Sequence, residues 1–133
     1  MWWYLEVRGI SNVAPTMPVT DSLERLERDM TAGMMHVLVL SHLRRDGPLH
    51  GYGLIKAMEA STGKGLWKEG TVYPLLGSME RDGLMVARWG EPATGPRRKY
   101  YQLTPAGRQA LRIAVDHWNQ LRKTMDTLLE TSQ

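Results

Sequence analysis

Arg97, Arg98 and Lys99 stand in a row directly after Gly95-Pro96, a turn-forming pair. Three adjacent cations at a turn suit contact with the phosphates of a nucleic acid, or insertion into its minor groove. A solvated basic loop is the plainer alternative. The charge bias extends beyond this cluster. Residues 1–60 hold six Lys/Arg against seven Asp/Glu, and residues 61–133 hold eleven against seven, so the net charge of +3 comes from the second half. Such a bias suits a polyanion.

The other reactive residue types are absent or wrongly spaced. The chain has no cysteine, which removes disulfides, thiolate nucleophiles and Cys-based zinc sites together. "STGKG" at 61–65 imitates a phosphate loop, but Met58 stands where the first glycine belongs, and a helix precedes it where a strand should. His36, His42, His50 and His117 show no metal-ligand spacing, and neither a Ser-His-Asp order nor a Gly-rich dinucleotide turn occurs. No metal, cofactor or catalytic group is therefore expected, and the protein is not expected to be an enzyme.

The elements that must position the basic cluster are legible as local patterns. Asp21, with Glu24 three residues later, makes a capping-box-like start, and Leu23, Leu26, Met30, Met34, Val37 and Leu38 recur at helical steps, predicting a first helix that ends near Arg45. "RDGPLHG" breaks it, with Leu49 in a short strand. Tyr52 to Ala60 reads as a second helix stopped by Gly63, and "KEGTVYPLLGSMERDGL" (68–84) as a third. "LMVARW" and "RRKYYQL", separated by turn residues, read as a hairpin, with Tyr101 and Leu103 on one face and Arg98 and Tyr100 on the other. Thr104-Pro105 is a strong start for a last helix, which runs to about Glu130. The order is that of a winged helix-turn-helix, mainly α with a small β wing, followed by a long C-terminal helix.

The third helix is written with poor helix formers. On a wheel of 100° per residue, Val72, Leu75, Leu76 and Met79 fall on one side, the expected core side. Gly70, Pro74, Gly77 and Arg81 collect opposite, with Thr71 and Ser78 beside them. A face with so little side-chain bulk can lie deep in a major groove. It also lacks Asn, Gln and paired Arg, so specificity is expected from contact of Thr71 and Pro74 with thymine methyls, from water and from DNA shape. With Thr71 as cap, Pro74 falls in the first turn at no cost, whereas a cap at Lys68 or Glu69 sacrifices one hydrogen bond. Thr71 is the expected cap. Glycines as packing accommodations, with the proline in a loop, form the alternative. Tyr73 sits at the flank, where it either reaches a phosphate or packs on the wing.

The last helix carries Leu111, Ala114, Trp118, Leu121, Met125 and Leu128 at a 3,4 spacing, the pattern of a seam against another helix. At 1.5 Å per residue it is about 37 Å long, more than so small a domain covers alone. With 42% apolar residues in 133, the core of a lone protomer is marginal, and a second subunit is expected over this seam.

"GPLHGYGLIKAME", "GTVYPLLGSMERDGL" and "GPRRKYYQLTPAGRQAL" together resemble the PadR family of bacterial transcriptional regulators. The likeness runs from about Leu38 to Leu111, with three separated motifs in the right order, and the short chain resembles the subfamily with a single C-terminal helix. It implies a homodimer held by the first and last helices, binding inverted-repeat operators in double-stranded DNA and repressing transcription until an effector binds. The interface residues so implied are Leu23, Leu26 and Met30 with Leu111, Ala114, Trp118, Leu121, Met125 and Leu128. Carried over motif by motif, DNA contacts fall on Thr71, Tyr73 and Pro74 and on Arg97, Arg98 and Lys99, while Ser78 and Arg81 join them from the exposed helix face. Lys68-Glu69 departs from the Ser-Pro-type entry common in the family, and Glu69 would repel a nearby phosphate unless its carboxylate caps the helix. Some small members of the family resemble multidrug-responsive repressors, which hold flat aromatic compounds between subunits near a Trp of the last helix. Trp118, with Met30, Gly33 and Val37, matches such a site, and dimer packing by Trp118 is the alternative.

The expected division is a flexible N-terminal tail at 1–18, a winged-helix DNA-binding domain at 19–104 that includes the first helix, and a C-terminal dimerisation helix at 105–133. No apolar run reaches membrane-spanning length and no signal peptide is apparent, so the protein is expected to be cytoplasmic, without a membrane partner. A winged-helix module that binds protein and has no DNA operator is the competing reading.

Overall fold

The computed structural model describes residues 19–91 and 95–131. The expected N-terminal tail lies outside them. The elements in chain order are α1 (Val19–Gly33), α2 (Met35–Asp46), β1 (Leu49–His50), α3 (Gly51–Thr62), α4 (Glu69–Arg81), β2 (Met85–Trp89), β3 (Lys99–Leu103) and α5 (Pro105–Thr131). The chain divides into two units, α1 lying in the first and everything from Met34 onward forming the second.

The expected single first helix is two. It is interrupted at Met34 (φ −93°, ψ −2°), which precedes α2 without a side-chain cap. Gly33 explains the break, because glycine loses more backbone entropy in a helix than any other residue and brings no side chain to offset it. The expected capping role of Asp21 is also corrected. The helix begins at Val19, so Asp21 lies in the first turn, where its carboxylate complements the helix dipole.

In the second unit, α2, α3, α4 and the start of α5 enclose one core with the sheet. Val39, Leu54, Met58, Val72 and Leu76 are fully buried in it, joined by Met79, Met85, Tyr101 and Leu111. Val72, Leu76 and Met79 are the inward residues that the wheel of α4 predicted, whereas in α2 the buried positions are Val39, Leu40 and Leu43, and the expected Val37 and Leu38 are only half-buried. The three strands run antiparallel in the order β1-β3-β2, with Leu49 opposite Tyr101 and Trp89 opposite Lys99.

Local caps fix the joints. Gly63 ends α3 with its N–H donating to the Glu59 carbonyl at 2.8 Å. Thr104 accepts the Gly107 N–H at 3.0 Å and donates its own hydroxyl to the Gly83 carbonyl at 2.6 Å, so one side chain caps α5 and ties it to the start of the hairpin. Gly107 allows this closeness, since a Cβ there would run into the Leu84 backbone. The loop between α3 and α4 is pinned by Trp67, whose buried ring donates its indole N–H to Thr62 Oγ1 at 2.7 Å.

Candidate nucleic-acid interface

The pinned loop delivers α4 in a definite register. Lys68, with extended backbone (φ −100°, ψ 144°), is the N-cap, and both the Thr71 and Val72 amides donate to its carbonyl. The expected cap at Thr71 is therefore corrected: Thr71 is inside the helix, and burial of Trp67 next to Lys68 sets the start one residue before Glu69. Pro74 then lies inside the helix and leaves the Gly70 carbonyl without its i+4 donor. Glu69 occupies the first position, favourable for the dipole, and makes no side-chain cap.

The two faces of α4 separate as the wheel predicted. Val72, Leu76 and Met79 are buried and Leu75 packs partly against the core. Gly70, Thr71, Pro74 and Arg81 are exposed, while Gly77 and Ser78 are half-buried. A Cβ at Gly70 would meet nothing within 4 Å, and the Arg81 guanidinium reaches back over Gly77, 3.4 Å from where a Cβ would stand. Tyr73 leaves this face. Its ring lies over the backbone of Gly51 at the start of α3, so close that a Cβ on Gly51 would stand 2.7 Å from the hydroxyl. A larger residue at Gly51 would have to displace the Tyr73 ring.

The wing approaches from the other side. The Gly90 amide donates to the Arg98 carbonyl at 2.7 Å, and Arg97 donates from Nε to the Gly90 carbonyl at 3.3 Å, its guanidinium 6.0 Å from the Trp89 ring centre. Arg97 and Arg98 are exposed beyond the paired strands. Lys99 is not at the tip. It opens β3, and its ammonium donates to Glu80 Oε1 of α4 at 3.0 Å, which raises its pKa. This ion pair braces the wing against α4 and leaves Lys99 partly neutralised. Tyr101, beneath it, has its pKa raised by burial, opposed by the Lys99 charge.

Between α3, α4 and the wing these residues line a groove of about 390 Å³, formed by His50, Tyr52, Tyr73, Trp89, Arg97, Arg98, Lys99 and Tyr101. Of the eight residues expected to contact DNA, Tyr73, Arg97, Arg98 and Lys99 meet here, while Thr71, Pro74, Ser78 and Arg81 belong to α4 beside it. His50, Tyr52 and Trp89 were not singled out by sequence reasoning. The local signal for His50 was its place just before the apolar pattern of α3, but histidine is not among the favoured cap residues.

Of the residues expected at an effector site, Trp118 is exposed on α5, Val37 packs partly against the core from α2, and Met30 and Gly33 lie on α1. Of the expected interface residues on α5, Leu111 is buried in the protomer core, whereas Trp118, Leu121, Met125 and Leu128 are between 43% and 54% exposed. Ala114 is half-buried between them, and Leu23 and Leu26 of α1 are exposed.

One arrangement invites a catalytic reading that its chemistry does not support. His42 Nε2 lies 3.0 Å from Ser61 Oγ, and its Nδ1 lies 3.5 Å from Asp46 Oδ2. Ser61 Oγ also lies 3.2 Å from the Ala57 carbonyl within its own helix, and the buried His42 Nδ1 has no hydrogen-bond partner among the described residues, so no carboxylate orients the ring as activation of a serine requires. The trio joins α2 to α3.

A helix-turn-helix followed by a basic, braced hairpin defines the winged-helix class. Residues 39–113 match the model of the transcriptional regulator PadR-like family. The match covers more than half of the chain, and the protein belongs to that family. The chain is similar to the transcriptional regulator Rv3488 of Mycobacterium tuberculosis, 36% identical over 85 residues that make up 64% of this chain and 74% of that protein. It is also similar to an uncharacterized protein X of Lysinibacillus sphaericus, 30% identical over 63 residues; the match covers 47% of this chain and spans only 58% of that protein. Among solved structures, a PadR family transcriptional regulator from Eggerthella lenta superposes with a TM-score of 0.75 at 33% identity, over 85% of this chain and 96% of that one.

Proposed function

We propose that this PadR-family regulator binds double-stranded DNA as a homodimer, with α4 in the major groove and the wing along the backbone, and represses transcription from an inverted-repeat operator until an effector binds. The observation that carries this reading is the pairing of a slim, exposed α4 face with a cationic groove directly beside it. A major groove admits a helix, and phosphate contacts from Arg97 and Arg98 would fix its register. Dimerisation is supported by the apolar stripe of α5, a helix of 27 residues and so about 40 Å long, whose Trp118, Leu121 and Met125 are left largely exposed by the protomer. Trp118 on that stripe is the best-placed aromatic group for a flat effector.

Selection of bound fragments from genomic DNA tests the reading. Enrichment of a few sites containing two half-sites in inverted orientation, at a spacing fitting a symmetric dimer, is the expected result. Failure to enrich any fragment would favour a winged-helix module that binds protein instead.

A further inference from the structure

His50 serves two neighbours with one proton. As N-cap of α3 its Nδ1 accepts the Gly53 N–H at 2.9 Å. A neutral imidazole carries a single ring proton, so the cap places that proton on Nε2. Arg98 Nη1 lies 2.8 Å from the same Nε2, and a guanidinium has no acceptor to offer. The other tautomer only moves the conflict, since Nδ1–H would then face the Gly53 N–H. In the capped form Nε2–H and an Arg98 N–H face each other 2.8 Å apart, a donor–donor contact between two side chains that both line the groove between α3 and the wing. Tyr100 lies edge-on to the ring at 5.3 Å, and Tyr52 lies parallel to it at 6.4 Å. Among the described residues no carboxylate lies within ion-pair distance of Arg98. An anionic oxygen that accepts from both would relieve this contact, and Arg98, exposed beyond the strands, has the freedom to swing aside and admit it.

We infer that His50 Nε2–H and the Arg98 guanidinium together hold one non-bridging oxygen of a DNA backbone phosphate. The inference rests on the DNA-binding reading, because the exposed face of α4 lies alongside and a duplex there would bring its backbone to the groove. In the free chain burial and the Arg98 charge both lower the His50 pKa, and the cap on Gly53 needs Nδ1 unprotonated, so His50 is assigned as a neutral donor. It therefore contributes hydrogen bonding and no counterion release, while Arg98 contributes both.

The test compares wild type, His50→Asn, Arg98→Gln and the double variant by fluorescence anisotropy on a duplex recovered by genomic selection. Asparagine is among the best N-caps, so His50→Asn can keep the Gly53 bond while removing the distal donor. Each single variant should bind about 10-fold more weakly, as expected for a hydrogen bond to a charged group. The double variant should lose less than the product of the two, because both act on one oxygen. Arg98→Gln should flatten the plot of log affinity against log salt by about 0.9 per protomer engaged, and His50→Asn should leave it unchanged. Replacing phosphates singly by neutral methylphosphonate should reveal a position in each half-site that weakens wild type and not the double variant. Unchanged affinity in either single variant, or fully multiplicative losses, would overturn the clamp. Arg98 is exposed and outside the strands, so its variant decides the matter should His50→Asn melt early. If wild type binds no duplex at all, the DNA reading fails with it, a result distinct from wild-type binding that the variants do not alter.

Discussion

The imidazole of His50 links fold stability to proton concentration. Its cap requires an unprotonated Nδ1, and burial followed by the Arg98 charge lowers its pKa in the folded chain below the ordinary value of 6.5. As pH falls through 6.5 toward that lowered value, the unfolded chain takes up a proton before the folded one, so stability declines across this window and levels off below it. Above 6.5 the full contribution is present. The side chains facing the ring are Arg98, Tyr52 and Tyr100. Urea unfolding of wild type and His50→Asn across the same pH range should show a wild-type decline that the variant lacks. The other histidines, common to both proteins, cancel in the comparison. Equal slopes would mean that His50 does not carry the cap in solution.

At the scale of elements, α4 trades helix stability for clearance. Gly70 is exposed, and a Cβ there meets no neighbour within 4 Å. Gly70→Ala should therefore raise stability by about 0.5–1 kcal/mol, the ordinary difference between the two residues inside a helix. The same methyl group would stand on the face assigned to the groove, so operator affinity should fall while thermal stability rises. A variant that is stabilised and binds equally well would show that the slim face has another purpose. The helices, hairpin and Thr104 cap were legible because each is signalled within a few residues. The start of α4 was not, because the choice between Lys68 and Thr71 is made by Trp67 entering the core, a tertiary contact with no local mark. The division of the first helix at Met34 turns on Gly33, which the apolar spacing passes over. The Glu80–Lys99 brace spans 19 positions and the His50–Arg98 approach spans 48, so the basic run at 97–99 looked uniform in sequence although its three cations have different neighbours.

At the scale of the molecule, the account joins two exposed surfaces, the α5 stripe and the groove beside α4. If a partner subunit covers the stripe and leaves room for a flat ligand at Trp118, Trp118→Ala should weaken quenching by planar dyes at least several-fold while changing operator affinity much less. Equal quenching in wild type and variant would remove Trp118 as an effector site. The central claim is that the second half of the chain grips the DNA backbone through Arg97 and Arg98. The most direct measurement is operator affinity as a function of salt for wild type and for the Arg97→Ala, Arg98→Ala double variant. Wild-type affinity should fall steeply, with a slope of about −0.9 for each phosphate neutralised, and the double variant should be weaker at low salt with a slope shallower by about 1.8 per protomer engaged. An affinity indifferent to salt, or a double variant with the wild-type slope, would contradict it.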